Sequence, residues 1–204
     1  MVQYVLVAII AYALGSISFS VIFSKKFAGF DVREKGSKNA GTTNVLRTVG
    51  KGVAALTLIC DVLKGVIAVL LASLAYKIWN DIDLTLAKTV AGFMAIVGHT
   101  FPVYFGFRGG KGVATSLGVL LMLNWKIGLF CLVVALIAMI ITKMVSVGSI
   151  IAAILYPILV IFWQEGNTMA TIIFSFLIAG LVIFNHRSNI KRLKEGKENK
   201  LSFK

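Results

Sequence analysis

The chain has 204 residues, 58% of them hydrophobic, with a mean hydropathy of +0.92 and 21 Lys and Arg against 8 Asp and Glu. That hydropathy lies far above globular usage and reads as an integral membrane protein. The net charge of +13 does not point to nucleic acid, because the basic residues fall between membrane-length apolar runs and not on a separate polar domain. Cys60 and Cys131 lie inside apolar stretches without a paired or metal-ligand spacing and read as free buried thiols.

A spanning helix needs roughly 20 apolar residues, fewer where it packs against other helices. In chain order seven runs qualify: 2–23, 53–79, 84–101, 113–123, 127–142, 147–163 and 168–184. The fourth is short and carries a glycine, so six spans with a re-entrant segment is the alternative. The first lacks the basic stretch that opens a secretory signal and reads as mature structure. With the N-terminus outside, the inner segments 24–52, 104–112, 143–146 and 185–204 hold 7, 2, 1 and 7 basic residues, 17 of the 21. The positive-inside rule then makes the first loop and the C-terminus cytoplasmic. The expected fold is a single all-α membrane domain over 1–204 with about seven transmembrane helices. Short helices or re-entrant loops cover its cytoplasmic face.

Polar segments mark that face. GSISFS over 15–20 ends the first run, its small residues permitting close helix packing. The next segment, KGSKNAGTTNVLRTVGKG over 35–52, is dense in hydroxyls, amides, glycines and cations. A helix beginning near Thr43 points Asn44, Arg47 and Lys51 along one side. Ser37, Asn39 and Thr43 add polar contacts, and the whole loop suits an anion better than a plain solvated connector does.

Asp61 and Lys64 stand three residues apart within the second run, where unpaired charges cost roughly 2.5–3.5 kcal/mol each, so they are expected to pair inward. GHTFPVYFGFRGGKGVAT over 98–115 then sets a glycine turn between two apolar runs. There Gly109 and Gly110 let backbone N–H groups approach an anion while Arg108 and Lys111 supply charge. Lys111 is followed by Gly and not by Ser or Thr, which argues against a nucleotide P-loop. His99 and His186 are the only imidazoles, and both fall at cytoplasmic run ends. The inner loops carry too few carboxylates to suggest a metal, so a base or phosphate ligand is the better role for either ring.

GSISFS, GSKNAGTTNVLRTVG over 36–50, DVLKG over 61–65, the 98–115 segment and HRSNIKRL over 186–193 together resemble the signature segments of the bacterial acyl-phosphate:glycerol-3-phosphate acyltransferases, the PlsY type. The resemblance runs from Gly15 to Glu198. It implies transfer of a fatty acyl group from acyl phosphate to the 1-hydroxyl of sn-glycerol 3-phosphate, with lysophosphatidic acid and inorganic phosphate as products. It also implies no cofactor, a bacterial cytoplasmic membrane with the site facing the cytoplasm, and a functional link to the enzyme that makes acyl phosphate. Three positions depart from the family pattern: Ser18 and Ser20 stand where Pro and Gly are usual, and Lys38 stands where Gly is usual.

The residue chemistry agrees. Two anionic substrates need positive charge to offset repulsion and to stabilise the departing phosphate, which Arg47, Lys51, Lys111 and Arg187 can supply. The resemblance adds Ser146, His186 and Asn189 to the pocket. The candidate catalytic residues are His99, Ser37 and Lys111, with His99 and a phosphate oxygen of the acceptor as the two candidates for taking the hydroxyl proton. A mixed anhydride is already activated, so positioning is most of the task and neither a metal nor a covalent intermediate is required. The alternative reading is a carrier or channel for anionic phosphate compounds, for which no inverted repeat speaks.

The charge asymmetry makes a direct prediction. A cysteine introduced at Lys35 or Lys194 is shielded from an impermeant thiol reagent in intact cells, and one at Asn167 reacts; the opposite labelling pattern overturns the orientation.

Overall fold

The computed structural model describes residues 1–79, 81–166 and 168–201; Asn167 lies outside them. Helix accounts for 78% of the described residues, with no strand among them. In order the helices are α1 Val2–Gly15, α2 Phe19–Ala28, α3 Thr42–Thr48, α4 Lys51–Ile78, α5 Leu84–Thr100, α6 Val113–Leu123, α7 Trp125–Thr142, α8 Val145–Trp163, α9 Met169–Asn185 and α10 Arg187–Lys194.

Five stretches are long and apolar enough to cross a membrane: Val2–Ala28, Lys51–Ile78, Leu84–Phe105, Trp125–Thr142 and Val145–Trp163. The pair α9 and α10, bent by 57°, makes a sixth if taken as one span. The run at 113–123 forms a helix of 11 residues. At 1.5 Å per residue it is about 16 Å long, roughly half the hydrocarbon thickness. By length, then, α6 differs from the full-length helices around it. The first run is also less simple than its hydropathy suggests: it breaks at residues 16–18, where Ser18 leaves the helical region at φ −93° and ψ 87°.

The structure divides into two compact units, Met1–Leu123 and Asn124–Lys204. In the first, α1 packs on α5, α4 on α5 and α6, and α1 on α4. Its core is built from Val7, Ala11, Ala68, Ala72, Ala75, Ala87, Ala91 and Ala95. The large side chains point the other way: Leu56, Ile59, Leu63, Ile67, Leu70 and Leu74 of α4 are all exposed. Their spacing of three and four residues marks one helix face. This inverts the globular pattern, as expected where the surrounding medium is as apolar as leucine and helices gain by close backbone approach. In the second unit α8 packs between α7 and α9, and α10 touches α9.

Glycine sets the closest approaches. A Cβ on Gly118 would lie 2.1 Å from the Val62 carbonyl oxygen, and one on Gly65 would lie 2.4 Å from that of Thr115. The α4–α6 contact is therefore made backbone to backbone from both sides. Gly118→Leu is expected to weaken the fold by at least the roughly 1–3 kcal/mol typical of overpacking, because the obstacle is a carbonyl that cannot rotate away. Gly180→Ala, on α9 with open space beside it, should hold or slightly raise stability. Thermal midpoints in detergent compare the two; equal midpoints count against backbone contact at Gly118.

Candidate active site

In the first unit the loop between α2 and α3 is folded around one side chain. Asn44, 1% exposed, donates its amide to the carbonyls of Val32, Lys35 and Asn39 at 2.8, 3.0 and 3.1 Å. Its Oδ1 accepts the Ser37 N–H at 2.9 Å. The same oxygen would stand 2.3 Å from a Cβ on Gly36, so the loop can close over the amide only with glycine there. Asn44, expected among the substrate contacts, is thus an organiser of the loop that presents Ser37 and Asn39. Ser37, Lys38 and Arg47 are exposed, and Asn39 and Thr43 half-buried.

Arg33, which the motif reading passed over, joins this loop to the glycine turn. Its guanidinium donates to Asp31 at 2.8 Å, to the Phe105 carbonyl at 2.6 Å and to the Arg108 carbonyl at 3.3 Å. The Arg33 hydrogen bonds hold the Asp31 carboxyl down at about 2, below the usual carboxylate range. The Asp-x-Arg spacing was the available signal, but its long-range partners are backbone carbonyls that no sequence motif records.

The glycine turn is tied to the end of α5. The Gly110 N–H donates to the His99 carbonyl at 3.1 Å and the Gly109 N–H to that of Thr100 at 3.2 Å. A Cβ on Gly110 would meet the His99 ring at Nε2, 2.1 Å away, and the Ala40 carbonyl at 2.6 Å. The imidazole, the glycine turn and the first loop therefore converge at Gly110. Arg108 is exposed and Lys111 half-buried, directly beside this junction. On the other side of the ring, His99 Nδ1 lies 3.5 Å from Asp61 Oδ1, and Asp61 in turn lies 2.8 Å from Lys64 Nζ. The inward ion pair expected from the sequence is present, and Lys64 also donates to the Ile17 carbonyl at 2.8 Å.

The second unit holds Ser146, His186, Arg187 and Asn189. Ser146 and Asn189 both donate to Glu198 Oε1, at 2.9 and 2.6 Å, while Arg192 Nε donates to Oε2 at 2.8 Å. Burial works to raise the Glu198 pKa; the hydrogen bonds from Asn189, Ser146 and Arg192 outweigh it and hold the carboxyl below its ordinary value. Glu198 sits in the C-terminal tail, yet it is 8% exposed. His186, 2% exposed, directs Nδ1 to the Val182 carbonyl at 2.7 Å. The Arg187 guanidinium lies 4.4 Å from the centre of the Phe184 ring.

Each unit thus presents cations beside polar groups braced by a carboxylate, an arrangement suited to anionic ligands. A family model described as glycerol-3-phosphate acyltransferase matches residues 5–196. The glycerol-3-phosphate acyltransferase of Clostridioides difficile is 48% identical over 202 residues, covering 99% of this chain and 97% of that protein. That of Thermoanaerobacter sp. is 45% identical over 201 residues, covering 98% and 96%. Among solved structures, PlsY (YgiH), an integral membrane glycerol 3-phosphate acyltransferase, matches in its glycerol 3-phosphate form with a TM-score of 0.86 and 36% identity, over 98% of this chain and 96% of that one. With its helices, apolar spans and motifs in this order, the chain is an all-α integral membrane enzyme that belongs to the glycerol-3-phosphate acyltransferase family.

Proposed function

We propose that the protein transfers a fatty acyl group from acyl phosphate to the 1-hydroxyl of sn-glycerol 3-phosphate, yielding lysophosphatidic acid and inorganic phosphate. The observation that carries this reading is the junction at Gly110, where the glycine turn with Arg108 and Lys111 meets the hydroxyl- and amide-rich first loop above a buried histidine. The solved relative supports it: PlsY has a glycerol 3-phosphate form and a lysophosphatidic acid form, the latter matching this chain with a TM-score of 0.83.

The hydroxyl oxygen of the acceptor attacks the acyl carbonyl carbon, the C–O bond to phosphate breaks, and the phosphate leaves with the bonding pair while the hydroxyl proton passes to a base. Arg47, Lys51, Arg108 and Lys111 offset the repulsion between the two anions and stabilise the departing one. Ser37, Asn39 and Thr43 orient the phosphates, and Gly109 and Gly110 allow close backbone approach. The acyl chain lies against apolar side chains within the bilayer. The site faces the cytoplasm of a bacterial inner membrane, where the enzyme that makes acyl phosphate supplies the donor.

The test offers acyl phosphate, acyl-CoA and acyl-carrier protein in parallel to purified protein with labelled glycerol 3-phosphate. Product is expected from acyl phosphate alone; equal use of a thioester rejects the donor. In the same assay Arg47→Ala or Lys111→Ala removes charge-assisted hydrogen bonds worth about 1.5–3 kcal/mol, so kcat/KM should fall roughly ten- to a hundredfold. Lys26→Ala, in a residue that serves topology, should change it little. Normal turnover by folded Arg47 and Lys111 variants rejects the phosphate site.

A further inference from the structure

Asp61 is the only acidic residue inside the five long apolar spans. It is 1% exposed, as is Lys64, and His99 is 7% exposed. Lys64 Nζ lies 2.8 Å from Asp61 Oδ1, so the carboxylate already has its counter-charge. A simple ion pair would end there. Yet a second group points at the same oxygen: His99 Nδ1 stands 3.5 Å from it. Both atoms are buried; Asp61 Oδ1 has the Lys64 ammonium, while His99 Nδ1 has no hydrogen-bond partner shorter than this contact. A buried ring nitrogen facing a carboxylate oxygen at this distance is a contact waiting to close, and hydrogen bonds at catalytic sites are commonly long before substrate binds. The opposite ring nitrogen, Nε2, is the atom packed under Gly110, whose N–H is held by the His99 carbonyl.

We propose that Asp61 is a positioning residue that acts through His99: by accepting Nδ1–H it fixes the tautomer and the ring plane, and so presents the Nε2 lone pair as an acceptor beneath the glycine turn that carries Lys111. The ring nitrogens of a histidine are chosen by the partner that one of them finds, and Asp61 is the acceptor that Nδ1 faces. Lys64 has a separate part. It balances the carboxylate, so the imidazole joins as a neutral donor and not as a second cation, and it fastens the cluster to the Ile17 carbonyl at the break in the first span. The inference rests on the acyltransferase reading for its kinetic consequence only.

Asp61→Asn alone leaves a buried ammonium unpaired and is expected to lower the melting midpoint in detergent. Asp61→Asn with Lys64→Met removes both charges and should recover part of that midpoint, the Ile17 carbonyl remaining without its donor. If the pair is only scaffolding, activity returns with stability. If Asp61 positions His99, kcat stays at least about tenfold below the parent while KM for both substrates changes little. Adding His99→Gln to the double variant should then cost nothing beyond what His99→Gln costs alone. Parental kcat in the stable double variant, or losses at Asp61 and His99 that multiply, overturns the proposal. A second measurement needs no variant at position 61. The protein has two histidines, so nitrogen-15 spectra of histidine-labelled protein, assigned with His186→Gln, read the His99 tautomer directly. Nδ1–H is expected, and an Nε2–H or cationic ring overturns the proposal. A parent protein that makes no lysophosphatidate would reject the function and leave the tautomer result standing.

Discussion

Hydrocarbon supplies no water to satisfy a backbone polar group, so any departure from helix within the membrane must be met by side chains at the same depth. The break at 16–18 shows what this demands. Lys64 Nζ takes the Ile17 carbonyl, the Ser16 hydroxyl donates to the Tyr12 carbonyl at 2.8 Å, and the Tyr12 hydroxyl donates to the Phe101 carbonyl at 2.8 Å. These contacts join α1, α4 and the end of α5 at one level. Without Lys64 the freed Ile17 carbonyl would cost a desolvation penalty of about 1–3 kcal/mol, a sizeable fraction of a domain's stability. Close packing makes the contacts reachable: a Cβ on Gly15 would sit 2.2 Å from the Ala95 carbonyl oxygen, and one on Gly98 would sit 2.3 Å from that of Tyr12.

Charge is distributed by the same logic. Eight carboxylates face 21 cations, and the buried carboxylates go to bracing. Asp31 fixes Arg33, Asp61 fixes Lys64, and Glu198 fixes Arg192 together with Ser146 and Asn189. What remains is a large excess of positive charge on the loops, which raises the local concentration of anionic substrates and falls off with salt. An enzyme that acylates glycerol 3-phosphate gains from an excess that its own carboxylates do not cancel.

Hydropathy made the spans legible, because a membrane selects on mean apolarity over about 20 residues. It could not reveal the break at 16–18, since serine and isoleucine carry no strong signal against helix; the short run at 113–123 was legible, and α6 covers the same 11 residues. The two polar segments stood out in the sequence as a candidate site because glycines, hydroxyls and cations cluster there. The individual tasks within them stood out less. Asn44 carries the residue type of a ligand and acts as a loop organiser, a distinction set by three carbonyls up to 12 positions away. Arg33 and Glu198 have long-range partners 72 and 52 residues distant, beyond the reach of any local motif. One departure from the family pattern now has a physical meaning: Lys38, standing where glycine is usual, adopts φ 57°, the left-handed region that glycine enters without strain.

Arg33, Asn44 and Lys64 come from three different parts of the first unit, yet all three direct their donors at loop or broken-helix carbonyls: Phe105 and Arg108; Val32, Lys35 and Asn39; Ile17. None of these carbonyls can be met by a regular helix, and each lies within a few residues of a segment assigned to substrate. Under the proposed reaction the donor is a mixed anhydride, which needs little chemical activation and a great deal of orientation, where a displacement of about 1 Å can change rates a hundredfold. Buried side chains that lock irregular backbone in place answer that requirement directly. The three side chains therefore do for the loops what hydrogen-bond ladders do for helices. Backbone of this kind is tolerated at membrane depth where it is buried in protein or lines a polar cavity, so the chain's least regular segments and its candidate site coincide for one physical reason.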